Sequence, residues 1–218
     1  MVQPIQFRET VRQTAIGERR YVRFLEGSGH FAHLQLQLKP MPATPCAITR
    51  SPGLIIPDAC YAAARDAVQA RLKSGPLGQF PMDAFQVEFT NATYLVRYSH
   101  PEAFAAVASM AFDDALGRAK PVIIEPWIGL RLRVERNSAQ VVLATLARLL
   151  GEISLTVSLS DYFVLKVEIP QRVLNRLRLA LGVRLLETFP LPPERLYRII
   201  SGPVFPTDEQ APNRDDWT

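Results

Sequence analysis

The sequence predicts an α+β protein of two domains, the second of them ferredoxin-like. Three observations carry this. Residues 127–189 give strand and helix signals in the order β-α-β-β-α-β, the split βαβ pattern. Residues 1–120 follow a different order, two alternating strands before the first helix. The chain has 218 residues, 48% hydrophobic and 21% charged, which is long enough for one to two cores and too apolar for disorder. The expected boundaries are 1–121, 122–200 and a Pro-, Asp- and Asn-rich tail over 201–218, read as flexible.

The elements follow in order. RYVRFLE (20–26) and AHLQLQLKP (32–40) alternate with period two, and GSG (27–29) lies between them, so a hairpin with a Gly turn is expected. Prolines crowd residues 40–57 and mark a loop. PDACYAAARDAVQARLKSG (57–75) is Ala-rich, begins with Asp58 as a cap and stops at Gly75-Pro76, a helix. DAFQVEFT (83–90) alternates, NAT (91–93) reads as a turn, and YLVRYS (94–99) as the next strand. Ser99-His100-Pro101-Glu102 has capping-box spacing with Pro in the first turn. The helix behind it puts Phe104, Val107, Met110 and Ala111 on one face.

In the second half WIGLRLRVE (127–135) is a strand, and Ser138 caps a helix ending near Leu150 before Gly151. EISLTVSLS (152–160) and YFVLKVEIP (162–170) are strands that turn at Asp161. QRVLNRLRLALG (171–182) is a helix and VRLLETF (183–189) the last strand. Leu143, Leu146, Val164, Val167, Leu174 and Leu177 are the expected core.

Most reaction chemistries are excluded. None of the lysines (Lys39, Lys73, Lys120, Lys166) completes G-x-x-x-x-G-K-[ST], so GTP or ATP binding through a P-loop is not expected. GSGHFA fits G-x-G-x-x-A, but an alternating strand follows where a helix is required. His30 and His33, three apart on a strand, face opposite ways and would not share a metal. Asp113-Asp114 reads as a solvated helix face. G-x-S-x-G is absent, and Cys60 sits in an Ala-rich helix as a small apolar residue. Asn91-Ala92-Thr93 is a sequon by letters only, because MVQPIQFRETVRQ lacks the apolar core of a signal peptide. Two cysteines make no disulfide framework, and no run approaches membrane length, so a soluble cytoplasmic protein is expected. No catalytic residue, cofactor or metal ligand is expected.

The net charge is +4, and the basic groups are mostly arginine, whose planar fork suits phosphate. Arg8, Arg12, Arg19, Arg20 and Arg23 crowd the start. Arg172 and Arg176 stand i, i+4 on the last expected helix.

FRETVRQTAIGERRYVR (7–23), the GSG turn and HLQLQLKP together resemble the opening of domain IV of elongation factor G. So does IIPDACYAAARDAVQARLKSGPLGQFPMDAFQVEF (55–89). AFAAVASMAFDDALGRAKPVIIEPWIGLRLRV (103–134), with its A-x-S-M-A-F and P-V-x-x-E-P runs, is similar to the domain IV helix and the crossover into domain V. The resemblance implies a ribosomal protein S5 domain 2-like fold with a left-handed βαβ crossover, followed by a ferredoxin-like domain V. It implies a module that binds ribosomal RNA near the decoding centre during translocation, with no DNA or membrane partner and no GTPase activity in this chain.

In the family, two loops form the tip that enters the decoding centre. They correspond here to Gly27, Ser28, Gly29 and His30, and to Thr93, Tyr94, Leu95 and Arg97. Ser28 stands where the family carries a basic residue, Leu95 where it carries a functional His, and Val96 where it is acidic. Arg23, Arg97, Arg172 and Arg176 are the expected phosphate contacts. Two alternatives stand beside this reading: a piece of a longer GTPase, and a repurposed scaffold for a protein or small-molecule partner that no longer acts on ribosomes.

Overall fold

The computed structural model of the chain describes residues 5–25, 28–42, 44–149, 151–181, 184–189, 191–192 and 196–200. The expected tail, 201–218, lies outside them. The described residues divide into two compact units, Phe7–Ile123 and a second that begins at Ile124.

In the first unit, strands β2 (Ala15–Leu25), β3 (Ser28–Pro40), β4 (Ala47–Arg50) and β5 (Phe85–Thr93) form a sheet ordered β2-β3-β5-β4. β4 and β5 run parallel, joined through helix α1 (Asp58–Arg71). The inner face is set by alternation: Ala32, Leu34, Leu36 and Leu38 of β3 and Phe85, Val87 and Phe89 of β5 are buried. Helix α1 buries Cys60, Ala64 and Val68 at four-residue spacing, and helix α2 (Pro101–Arg118) buries Phe104, Val107, Ala111 and Ala115. α2 packs closely on β2 because Gly17 has no side chain. A Cβ there would overlap the Ala111 carbonyl and lie 2.6 Å from Ala115 N.

A short strand β1 (Arg8–Val11), not expected from the pattern, carries Glu9. Its carboxylate is fully buried, yet it accepts backbone N–H groups from Leu77 (2.9 Å), Gly78 (2.8 Å) and Phe80 (3.3 Å). The Arg-Glu-Thr run thus clamps the loop after α1, which satisfies a buried charge with main-chain donors.

Several details correct the sequence reading. NAT does not turn the chain. β5 continues through Thr93, paired to β3 beyond a bulge at Gln35/Leu36, and residues 94–99 form turns rather than a strand. Ser99 does not cap α2. It is buried, its hydroxyl donates to the Phe31 carbonyl (2.8 Å), and it accepts from Leu95 N–H (2.9 Å). Asp58 is the first helical residue rather than the cap. Met110 is exposed, because it lies off the 104/107/111 stripe.

The second unit contains β6 (Pro121–Glu135) from Ile124 on, α3 (Ala139–Arg148), β7 (Glu152–Ser158), β8 (Tyr162–Pro170), α4 (Leu174–Leu181), β9 (Arg184–Phe189) and β10 (Tyr197–Ile199). The four antiparallel strands lie in the order β7-β8-β6-β9, the ferredoxin-like arrangement. Leu130, Leu132, Leu165, Val167 and Ile169 face the helices and pack on Val142, Leu146 and Leu177. β6 begins six residues earlier than expected, and the unexpected β10 pairs with Ile124–Pro126. Leu143 is exposed, and Val164, out of phase with buried Leu165, stands on the opposite face of the sheet.

Candidate nucleic-acid interface

The site is built from two segments brought together at one end of the first unit. Strand pairing of β2 with β3 continues to Phe24↔Gly29 and Leu25↔Ser28, so Ser28 and Gly29 are strand residues rather than the turn itself. Gly27 lies outside the described residues. The second segment, 94–99, is tied to β3 by the Phe31 N–H donating to the Tyr98 carbonyl (2.7 Å) and by the Ser99 hydroxyl donating to the Phe31 carbonyl (2.8 Å), while the Leu95 N–H donates to that hydroxyl within the segment. A Cβ on Gly29 would sit 3.1 Å from Tyr98 and 3.3 Å from Phe24, so the two segments touch there. His30 packs edge-on against His100 at 5.3 Å between ring centroids. Tyr94 is half-buried against Phe104, so it supports the loop rather than presenting a contact.

The surface this makes is apolar at its centre. Phe24 is 81% exposed and Val96 85%, with Leu95 and Tyr98 each at 42%. Exposed Arg23 and Arg97 flank them, and Arg20 lies 5.1 Å over the Phe31 ring.

On the outer face of the same sheet is a cup of about 500 Å³ lined by Glu18, Arg19, Arg20, Phe31, His33 and Thr93. His33 bonds to Glu18 through Nε2 (2.7 Å) and to Thr93 through Nδ1 (3.1 Å). An ionised Glu18 accepts the Nε2 proton, and the Thr93 hydroxyl, which can donate or accept, meets Nδ1 in either protonation state of the ring. The His33 and Gln35 hydrogen bonds hold the Glu18 carboxyl below its ordinary range. Glu18 is half exposed, without the water exclusion a nucleophile relay needs, and the chain of bonds links β2, β3 and β5 beside the loops. Residues 18, 33 and 93 are far apart in sequence, so no local motif could have revealed this.

Other expected residues fall elsewhere. Asp114, read as solvated, is nearly buried between Arg19 (2.7 Å) and Arg118 (3.0 Å). Arg172 is a correction. It lies in a 3₁₀ turn, 171–173, before α4, so it does not share a helical stripe with Arg176. Its side chain turns inward onto Glu125, which is 1% exposed, with Nε donating at 2.6 Å. An arginine held by a buried carboxylate is not available to phosphate. Arg176 remains exposed. Among the described residues no group of three or more His, Cys, Asp or Glu could hold a metal ion, and no helix is long and apolar enough to cross a membrane.

Residues 3–120 match the family model for elongation factor G, domain IV. The chain belongs to the elongation factor G domain IV family. Elongation factor G of Petrotoga mobilis is 29% identical over 153 residues, 68% of this chain and 22% of that protein. Elongation factor G of Pseudothermotoga lettingae is 28% identical over 170 residues, 76% of this chain and 24% of that protein. The chain therefore spans about a quarter or less of these relatives' length. A crystal structure of a Thermus thermophilus protein superposes with a TM-score of 0.65 at 25% identity, covering 88% of this chain and 31% of that one. The fold is that of elongation factor G domains IV and V, ribosomal protein S5 domain 2-like and ferredoxin-like, and the chain is a translation elongation factor-like module.

Proposed function

We propose that this module docks on the ribosome near the decoding centre and acts in elongation or translocation in the cytoplasm, without GTPase activity of its own. The observation that carries the reading is the clasp between the two loop segments. The Phe31–Tyr98 and Ser99 bonds hold Ser28–His30 and Leu95–Arg97 together, and a surface fixed in this way suits insertion into a structured RNA cleft. Ser28, Leu95 and Val96 bring no charge, so contact rests on shape and apolar stacking, with Arg23 and Arg97 as the phosphate partners and Arg176 as a third.

Cosedimentation with 70S ribosomes across a salt series tests this. Binding should weaken with salt, and Arg23→Ala with Arg97→Ala should flatten the log–log slope by about one to two units. Leu95→His should strengthen binding if the loop keeps its geometry. Failure to pellet at low salt, or a slope indifferent to both arginines, would favour the repurposed scaffold. Micromolar GTP binding by calorimetry would contradict the expected lack of GTPase activity.

A further inference from the structure

We propose that the open face of the second unit's sheet is a binding site for single-stranded RNA, separate from the loops of the first unit. The face opposite α3 and α4 is defined by register. Leu130, Leu132, Leu165 and Val167 point to the helices, so Arg131 and Arg133 of β6 and Tyr162 and Lys166 of β8 point away. Arg133 is exposed, and its guanidinium carbon lies 3.9 Å from the centroid of the Tyr162 ring. Lys166 Nζ lies 5.8 Å from the centroid of the Phe189 ring. Phe189 comes from β9 and can lie over β6 because residue 129 is glycine. A Cβ there would be 2.5 Å from the ring.

Two aromatic rings on separate strands, each carrying a cation, make a platform for bases rather than for duplex. An unpaired base stacks on an arginine plane or an aromatic ring, and four-stranded sheets of this topology present such groups at their centre. Tyr162 holds the Arg133 guanidinium in place, which leaves its outer surface to a base. Lys166, opposite Arg131 across β6 and β8, supplies positive charge beside the backbone phosphates. Residues two apart on a strand stand about 6.6 Å from each other, a spacing that an extended single strand can follow. Of the acidic residues in phase with this face, Glu168 is buried and paired with Arg198, Glu152 opposite it is paired with the same arginine, and Glu135 stands at the end of β6. Arg133 and Lys166 keep their charge beside the rings. A polyanion with exposed π-faces therefore fits better than an acidic peptide, which would use the charge and leave the rings idle.

The test uses the 218-residue chain without ribosomes. Fluorescence anisotropy is followed with a labelled ten-nucleotide single-stranded RNA and with the same sequence as a duplex, at several salt concentrations. The single strand should bind more tightly than the duplex. Arg133→Ala should weaken it about tenfold, Tyr162→Ala at least about fivefold, and Tyr162→Phe, which keeps the ring, less than about twofold. Lys166→Ala should flatten the salt slope by about 0.7. Arg65→Ala on α1 should change nothing, and far-UV circular dichroism should be the same for all variants. Equal binding of duplex, indifference to Arg133 and Lys166, binding lost instead with Arg97→Ala, or no binding at about 50 mM salt would each overturn the assignment. Because no ribosome is present, these outcomes leave the decoding-centre reading to its own test.

Discussion

On the outer face of the first unit's sheet, Glu18, His33, Gln35 and Thr93 bond to one another. On the outer face of the second unit's sheet, Arg133 lies on Tyr162 and Lys166 over Phe189. Both sheets bury one face under two helices. The first open face links its polar groups to one another and carries one cation on a ring, Arg20 over Phe31, whereas the second carries two, Arg133 on Tyr162 and Lys166 over Phe189. The buried carboxylates differ in the same way. Glu9 of the first unit receives three backbone donors. Glu125 of the second has one oxygen on Arg172, while its Oε1 and the Arg172 Nη2 are buried without a hydrogen-bond partner among the described residues. The comparison shows that a count of arginines does not locate a binding surface. What each guanidinium already touches decides whether it can meet a phosphate.

The largest effect should come from Glu9→Ala, which leaves three buried N–H groups unpaired and should destabilise the first unit by about 4 kcal/mol or more. No second substitution can compensate, because the partners are main chain. In a Trp217→Phe background, tryptophan fluorescence reports the second unit through Trp127, so the loss should show in circular dichroism before it shows in fluorescence. Coincident loss in both probes would break the distinction between the units.

Next is Arg172→Ala, expected to cost about 3 kcal/mol by stranding the Glu125 charge. Here the pair can be replaced. Glu125→Leu with Arg172→Met should recover most of the loss, as buried ion pairs exchanged for apolar residues commonly do. If Arg172→Ala instead leaves stability untouched and only weakens ribosome binding, the inward arginine is a phosphate contact after all.

A smaller effect separates the units by pH. Both cysteines lie in the first unit, and burial, with Asp83 nearby, pushes the Cys46 thiol up to about 12. A raised folded value means the stabilisation is complete below the unfolded value, about 8.5, and is lost as pH rises from there towards the folded one. Alkaline denaturation should therefore begin in the first unit, and Cys46→Ala should reduce the slope above about pH 9. Thiol titration at about pH 8 should find Cys46 unreactive until that unit unfolds.

The smallest effect concerns Glu18. Its lowered value means stability present above about pH 4.3 and lost as pH falls through the folded value. His33→Ala should reduce this acid sensitivity and move the Glu18 titration, followed by NMR, most of the way towards the ordinary carboxylate range, and adding Gln35→Ala should remove the remainder. An unchanged Glu18 titration would refute the assigned cause.

The sequence by itself determined the two-part division, the split order of the second unit, the alternation of β3 and, apart from Met110, the buried stripe of α2. These rest on periods of about 2 and 3.6, which are local and survive any packing. It also carried the family resemblance, through the Arg-Glu-Thr, Ser-Met-Ala-Phe and Glu-Pro runs. Tertiary structure alone decided that β5 passes through Asn91–Thr93, since that pairing depends on a bulge in register with β3, far back along the chain. It decided that Ser99 fastens a loop instead of capping a helix, because its partner is the Phe31 carbonyl. It turned Arg172 towards Glu125, 47 residues back, and laid Arg133 on Tyr162. Periodicity says which face a side chain takes. Only the register between distant strands says what waits there, and for a charged residue that partner determines whether it holds the fold together or reaches for a ligand.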